Sequence, residues 1–219
     1  MDINTPNFDR LARIYRWMEY FSFGPMLERC RFHFLSRCLE SRQALILGDG
    51  DGRFTARLMA ANPLVQVDAV DASSAMSSQL RHRVLRHSPQ ADARLQTIQA
   101  DLRSFCPSPK DYDLVVSHFF LDCLTNEEVA VLAERVASHS AHNATWLVSE
   151  FSIPEKGWRR AGSRVLVRSL YLVFSWMTGL RVHRLPDYAA VLGSHGFYRG
   201  EQHKLLQGLL VSEIWTREA

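Results

Sequence analysis

Hydrophobic positions along the chain follow two alternating patterns. Short continuous apolar runs, which indicate buried strands, stand at 44–47, 64–70, 93–99, 113–117 and 145–149. Helical spacing of apolar residues predicts helices between several of these runs, at 54–61, 73–87 and 127–140. Strands that alternate with helices of this length form βαβ units with helices on both faces of a parallel sheet. The expected fold class is therefore α/β, a three-layer, doubly wound, Rossmann-like sheet.

The two ends of the chain depart from this alternation. Residues 8–39 are predicted to form two helices, separated where Gly24-Pro25 ends one and starts the next. The tail predicts a long apolar helix at 158–177, a short helix at 186–195, and two strands at 197–204 and 209–216 joined by a tight turn. We expect a single domain over 1–219, with an N-terminal helical cap (1–42), a core (43–150), and a lid helix with a C-terminal hairpin (151–219).

Composition excludes several classes of protein. The net charge of +3 over 219 residues is low for a nucleic-acid-binding protein, and no nucleic-acid partner is expected. The four cysteines include no CxxC pair and no zinc-finger spacing, so no metal site is predicted. The first ten residues resemble no signal peptide, and no apolar stretch reaches the roughly 20 residues that span a bilayer. A cytoplasmic protein with reduced thiols is expected.

A glycine-rich loop follows the first predicted strand, in the segment LILGDGDGRF at 45–54. Its glycines, Gly48, Gly50 and Gly52, allow a sharp turn and close approach to a ligand at the start of a helix. The dinucleotide fingerprint requires a glycine where this chain has Arg53, which disfavours a nicotinamide-dependent oxidoreductase. Asp49 and Asp51 would repel a pyrophosphate but would suit a ligand that carries an amino group.

Two further aspartates follow the next two predicted strands. Asp71 lies about 20 residues beyond the glycine loop, where a carboxylate can accept hydrogen bonds from both ribose hydroxyls. Asp101 follows the third strand and could accept a hydrogen bond from an exocyclic amine of the same nucleoside. The alternatives are that Asp71 only caps the helix starting at Ser73, and that Asp101 is an ordinary loop residue.

These motifs resemble those of the class I S-adenosylmethionine-dependent methyltransferases over roughly residues 44–150. The G-x-G-x-G loop, Asp71, Asp101 and the run YDLVVS at 112–117 match the family's motifs. A weaker likeness of the tail is to small-molecule members related to quinone-biosynthesis methyltransferases. The resemblance implies seven strands with the last antiparallel, and S-adenosylmethionine as cofactor. The cofactor-binding residues that it implies are Tyr15, Gly48, Asp49, Gly50, Gly52, Asp71, Ala72, Met76, Asp101, Leu102, Ser117 and His118.

One residue departs from the family pattern. The family usually has an acid two residues before the first glycine, where it helps to hold the amino end of the methionine moiety, and this chain has Ile46. Either Asp49 or Asp51 takes over this role, or cofactor affinity is weaker. The remaining alternative is a non-catalytic protein that binds S-adenosylmethionine or another nucleoside on the same fold.

Candidate chemistry beyond the cofactor comes from the loop after the fourth strand and from the two ends. His118 is the candidate base, with packing beside the cofactor as the alternative. Asp122 is either catalytic or a cap of the following helix, and capping is the favoured interpretation. Tyr15, within an aromatic N-terminal segment, is expected to contact the cofactor as part of a lid, with packing of a helix onto the sheet as the alternative for this segment.

The segment 160–177 combines apolar stripes with Arg160, Arg164 and Arg168 on a third face. Such a helix could cover a hydrophobic substrate, contact an anionic membrane surface, or be an ordinary buried helix. We therefore expect methyl transfer to a small, hydrophobic acceptor.

Overall fold

A computed structural model of the protein describes residues 24–152 and 186–217. The predictions for the first N-terminal helix, for Tyr15 and for the arginine-rimmed helix lie outside the described residues. The second predicted N-terminal helix begins at Gly24 with Pro25 in its first turn, as expected.

The described chain alternates strands with helices in the predicted order. The strands are β1 (Gln43–Leu47), β2 (Gln66–Asp71), β3 (Leu95–Gln99), β4 (Tyr112–His118), β5 (Ser140–Phe151), β6 (Phe197–Leu205) and β7 (Leu210–Arg217). The helices are α1 (Gly24–Phe32), α2 (Arg53–Ala61), α3 (Ser74–His87), α4 (Asn126–Ser138) and α5 (Tyr188–Ser194). Short 3-10 turns include Leu35–Cys38, Pro89–Arg94 and Leu121–Cys123.

The strands form one seven-stranded sheet in the order β3-β2-β1-β4-β5-β7-β6. Strands β1 to β5 pair in parallel, and β7 runs antiparallel to both β5 and β6. This confirms the predicted seven-stranded sheet with an antiparallel last strand. Because β1 to β5 are parallel, their carboxyl ends meet at one edge, which is where open α/β sheets bind ligands.

Each face of the sheet has its own buried cluster. One contains Phe54 and Leu58 of α2 and Val84 of α3 against the sheet, and the other contains Leu132 of α4 and Leu192 of α5. The helices therefore cover both faces, which confirms the three-layer architecture. No helix among residues 24–152 and 186–217 is long and apolar enough to cross a membrane.

Two local predictions need correction. Strand β5 begins at Ser140, earlier than the apolar run indicated, and the register between β4 and β5 shifts between Tyr112 and Leu114. The expectation that Asp122 caps the following helix is wrong. The N-cap of α4 is Thr125, whose side chain accepts from the backbone N–H of Glu128 in a reciprocal capping box.

Candidate cofactor site and active site

The glycine loop connects β1 to α2 in a backbone conformation that residues with a Cβ rarely adopt. Gly48, Gly50 and Gly52 have φ angles of +67°, +57° and +78°. All three lie in the left-handed region, where a Cβ is strained and glycine is not. The G-x-G-x-G spacing is thus required by the turn itself.

The three glycines differ in what surrounds them. A Cβ on Gly48 would lie 2.7 Å from the Phe120 ring, and one on Gly52 would lie 2.6 Å from the backbone of Leu80. These two glycines let protein segments pack closely on the loop. Among the described residues, a Cβ on Gly50 would meet only the sulfur of Met76, at 4.0 Å, so these residues leave open space beside Gly50. Gly50 is therefore the glycine that a bound ligand could approach.

The buried carboxylate of Asp49 is used to start α2. One oxygen, Oδ2, accepts from the backbone N–H of Thr55 at 2.9 Å and from the Thr55 hydroxyl at 2.8 Å. The other, Oδ1, accepts from the Phe54 N–H at 3.4 Å. Burial raises the pKa of this carboxyl, and the positive charge of Arg31 opposes the increase. These bonds give Asp49 a role in holding the loop against the helix.

Asp51 is neutralised by two arginines. Its carboxylate lies 2.7 Å from Nη2 of Arg83 on α3 and 3.3 Å from Nε of Arg53. Arg53 also reaches Glu28 of α1 at 3.2 Å. The arginine that breaks the dinucleotide pattern therefore ties α1 to the glycine loop, and the loop offers less negative charge than its sequence suggested.

Asp71 ends β2 beside the glycine loop. The Gly48 N–H donates to the Val70 carbonyl at 2.9 Å, which holds the first glycine next to the end of β2. Oδ1 of the half-buried Asp71 accepts from the Ser73 N–H at 2.8 Å. Ser73 is itself the N-cap of α3, because its side chain accepts from the Met76 N–H. Asp71 thus fixes the turn into α3 while lying at the carboxyl edge of the sheet.

Asp101 lies at the same edge, because the Ala100 N–H donates to the Asp71 carbonyl at 3.1 Å. Its carboxylate accepts from Nε of Arg103 at 2.9 Å and from Nη2 at 2.7 Å. These bonds hold the pKa of Asp101 below its ordinary value. Asp101 is therefore ionised and fixed by its neighbour, while the side chain of Leu102 is buried in the core.

The end of β4 brings Ser117 and His118 to the same edge with different orientations. The Ser117 hydroxyl accepts from Nε1 of Trp146 at 2.9 Å, inside the core. The His118 ring packs edge-on against Phe54, with 4.7 Å between centroids, and is only 3% exposed. Neither ring nitrogen has a hydrogen-bond partner among the described residues. Burial, and then the charge of Arg31, hold the pKa of His118 well below its ordinary value, so the ring is neutral.

Two buried charged residues escaped the sequence interpretation. Arg31 of α1 is 6% exposed, and its guanidinium lies 5.6 Å from the centroid of the Phe119 ring. Glu150, near the end of β5, is fully buried and accepts from the backbone N–H groups of Phe120 and Leu121. A carboxylate just beyond the predicted strand was the available signal for Glu150, whereas a single arginine in a helix gave none.

The apolar residues around this edge form a small cluster of their own. Leu27 and Cys30 of α1 pack with Phe119 and Leu210, and Phe151 packs against them. The Phe119 and Phe151 rings have centroids 5.3 Å apart. The cluster places apolar surface next to the ends of β4 and β5. Among the described residues, no group of three or more His, Cys, Asp or Glu side chains could hold a metal ion.

Comparison with known sequences identifies one domain. Residues 45–145 match a family model described as a methyltransferase domain. The matched region runs from β1 into β5, and so includes the glycine loop, Asp71, Asp101 and His118. Among curated proteins, no sequence similar enough to count as a match was found.

Solved structures of methyltransferases share the fold. An O-methyltransferase family protein from Burkholderia thailandensis superposes with a TM-score of 0.68 at 16% identity, over 96% of this chain and 58% of that one. The S-adenosylmethionine-dependent methyltransferase SibL gives 0.70 at 18% identity, over 100% and 64%. The N-methyltransferase NodS from Bradyrhizobium japonicum gives 0.59 at 13% identity, over 88% and 97%. The chain thus spans about three-fifths of the first two proteins and nearly all of the third.

Proposed function

We propose that this chain, whose residues 45–145 match a methyltransferase domain, is of the class I S-adenosylmethionine-dependent type and transfers a methyl group from S-adenosylmethionine to a small, hydrophobic acceptor. The observation that carries the proposal is the open space beside Gly50, at a sheet edge that also holds Asp71 and Asp101. Glycine at this position serves the left-handed turn, and the described residues leave the space beside it open.

The residues at this edge fit the chemistry of S-adenosylmethionine. A carboxylate can accept about four hydrogen bonds, so Asp71 can hold ribose hydroxyls while it keeps its bond to Ser73. Asp101 can accept from the adenine amino group while Arg103 fixes its orientation. In this proposal Ala72, Met76 and Leu102 supply the apolar surroundings of the nucleoside.

The methionine end lies, in this proposal, between the glycine loop and α1. Asp49 and Asp51 are already bound within the chain, and Ile46 carries no charge. The buried guanidinium of Arg31 on α1 acts on this region, because its charge opposes the raised pKa of Asp49, and in this proposal it would attract the carboxylate of the methionine moiety. The cofactor, when bound, supplies the electrophilic methyl group on its sulfonium, while the chain orients the reactants and excludes water.

His118 can accept a hydrogen bond, but its buried environment makes it a weak base. A neutral imidazole can accept a hydrogen bond from an acceptor's O–H or N–H group. Because its pKa lies well below the ordinary value, the ring holds a transferred proton weakly. We therefore assign His118 the orientation of the acceptor more than proton abstraction.

The hydrophobic character of the acceptor is inferred from the cluster around Phe119 and Phe151. Those rings lie beside the ends of β4 and β5 and would contact an apolar molecule in front of the methyl donor. The structural neighbours are named as O- and N-methyltransferases, which supports an oxygen or a nitrogen as the methylated atom.

Calorimetry with S-adenosylhomocysteine tests the cofactor assignment. We expect saturable binding to the wild type, and Asp71→Ala should weaken it by about 1–3 kcal/mol, the scale of lost hydrogen bonds to a charged group. Asp92→Ala is the matched control, since Asp92 is exposed and pairs with Arg81 on the outer surface. Binding that Asp71→Ala leaves unchanged would remove Asp71 from the site.

Turnover is tested with a panel of lipophilic phenols and amines and labelled S-adenosylmethionine. We expect methylated product from at least one member of the panel. Tight cofactor binding with no product across the panel would instead support the non-catalytic alternative. Polar acceptors in a parallel panel test the hydrophobic preference, and preferential methylation of those would contradict it.

A further inference from the structure

We propose that Glu150 is a positioning residue, whose buried carboxylate fixes the turn after β4 and so holds the Phe120 ring against the first glycine of the loop. This inference rests on the proposed function, because the glycine loop is there assigned to the cofactor. It links the end of β5, on the acceptor side, to the cofactor loop at the end of β1.

The carboxylate is well placed to hold the turn. Glu150 is fully buried, and its Oε1 accepts from the Phe120 N–H at 3.0 Å and from the Leu121 N–H at 2.8 Å. These N–H groups lie where β4 has ended and the next turn begins, so they have no strand partner there. Buried backbone donors require an acceptor, and Glu150 supplies it from the neighbouring strand.

The turn adopts a conformation that needs such support. Phe119 has a φ of +53°, in the left-handed region that a bulky side chain avoids. Its N–H donates to the Ser149 carbonyl at 2.7 Å, so bonds to consecutive residues of β5 hold both sides of the strained position. Strain of this kind persists when the surrounding structure over-determines it, and it is common at functional sites.

The consequence reaches the glycine loop through one aromatic ring. A Cβ on Gly48 would lie 2.7 Å from Cδ2 and 2.9 Å from Cγ of Phe120, so the ring lies directly on the bare Cα. The position of Phe120 is set by its backbone, which Glu150 holds. Loss of the acceptor at Glu150 would therefore allow the Phe120 ring to move away from Gly48, although no residue of the glycine loop is changed.

The proposal needs the oxygen of Glu150 and not its charge. Burial and the nearby charge of Asp122 raise the pKa of Glu150 well above its ordinary value. A protonated carboxyl still offers an acceptor oxygen, and so does an amide. Glutamine can therefore replace Glu150, whereas leucine, of similar size, cannot.

Glu213 of β7 provides a contrasting buried glutamate. Its carboxylate accepts from Nη1 of Arg199 at 3.1 Å, from the Tyr188 hydroxyl at 3.2 Å and from Nε1 of Trp215 at 2.9 Å. These partners join β6, β7 and α5, and none belongs to the glycine loop or to the turn after β4. A change at Glu213 thus affects stability on the same sheet without acting on the cofactor loop.

The test compares the binding of S-adenosylhomocysteine to Glu150→Gln, Glu150→Leu, Glu213→Gln and Phe120→Ala by calorimetry. We expect Kd to rise about tenfold or more in Glu150→Leu and in Phe120→Ala, and to stay within about twofold of wild type in Glu150→Gln and Glu213→Gln. A folded Glu150→Leu protein that binds like the wild type would overturn the proposal. So would equal losses in Glu150→Gln and Glu150→Leu.

Amide hydrogen exchange of the wild-type protein gives an independent readout. The Phe120 and Leu121 amides should exchange slowly, and Glu150→Gln should preserve that protection. Rapid exchange of both amides in the wild type would refute the proposed role of Glu150 even if Glu150→Leu failed to fold. A wild-type protein that showed slow exchange but bound no S-adenosylhomocysteine would contradict the proposed function. It would still support the proposal that Glu150 holds the turn after β4.

Discussion

Replacing Gly50 by alanine separates the turn requirement of the glycine loop from its ligand requirement. The Cβ of Gly50→Ala would lie 4.0 Å from the Met76 sulfur, an ordinary contact, so the described residues leave room for it. The remaining cost to folding is the φ of +57°. Gly196, which precedes β6, has a φ of +83°, and no described residue lies within 4 Å of its Cβ position. Gly196→Ala is therefore a control that also places an alanine at a positive φ, away from the glycine loop.

The expected loss of stability is small and similar in both variants. An alanine in the left-handed conformation lowers the free energy of unfolding by about 1–2 kcal/mol. Because alanine also reduces the conformational entropy of the unfolded chain, about 0.4–1 kcal/mol of this loss is offset. A net loss of about 1 kcal/mol lowers Tm by about 2–4 °C in a domain of this size. Thermal unfolding followed by circular dichroism measures this shift. If Gly50→Ala unfolded at a far lower temperature than Gly196→Ala, the space beside Gly50 would have to be filled by other atoms of the protein.

The two variants should differ in ligand affinity. A methyl group at Gly50 fills the space assigned to the methionine end of the cofactor, and we expect Kd for S-adenosylhomocysteine to rise by at least about tenfold, or about 1.4 kcal/mol. Gly196→Ala should bind like the wild type. Calorimetry at a temperature well below both values of Tm makes the comparison. Unchanged affinity in Gly50→Ala, or an equal loss in both, would refute the assignment of this loop.

Three further predictions concern charge and capping. Arg31→Met removes the positive charge that helps to lower the pKa of His118, so that pKa should rise while burial still keeps it below its ordinary value, as NMR titration of the ring would show. Thr125→Ala removes the capping box of α4 and should cost about 1 kcal/mol in urea unfolding with no change in cofactor affinity; a change in affinity would place α4 in the site. Arg103→Met should raise the pKa of Asp101. The depressed pKa of Asp101 contributes stability above its unfolded pKa that is lost as pH falls through the folded pKa, so the stability difference between wild type and Arg103→Met should shrink as pH falls below the ordinary pKa of an aspartate, about 3.9.

The sheet could be predicted because its signals are local. Buried parallel strands are continuous apolar runs, and each run here ends at a turn or a loop. The first part of β5 lacked such a signal, since Ser140 to Ala144 includes the polar residues His142 and Asn143. Ser140 pairs with Tyr112 of β4, and the register then shifts so that Thr145 pairs with Leu114. Tertiary context, which periodicity cannot report, decided that boundary.

The candidate site was predictable in position but not in detail, because one residue type serves several purposes. Asp49, Asp71 and Asp101 all lie at the carboxyl edge, as their spacing after strands predicted. From sequence, a carboxylate that binds the first turn of a helix cannot be distinguished from one that binds a ligand. Asp49 is of the first kind, because it accepts from the Thr55 N–H in the first turn of α2. Arg31 and Glu150 were missed because only burial in the folded chain sets them apart from surface charges.

The charge balance around the glycine loop changes how the missing family acid is understood. From sequence, Asp51 offered a replacement for the acid that Ile46 lacks, and the loop seemed built to attract an amino group. In the fold, Asp51 is paired with Arg53 and Arg83, and the nearby buried charge is the cation of Arg31. A zwitterionic methionine moiety presents both an ammonium and a carboxylate, and a buried cation would attract the carboxylate. The pairing of Asp51 with two arginines therefore argues against Asp51 as the replacement for the family acid that Ile46 lacks.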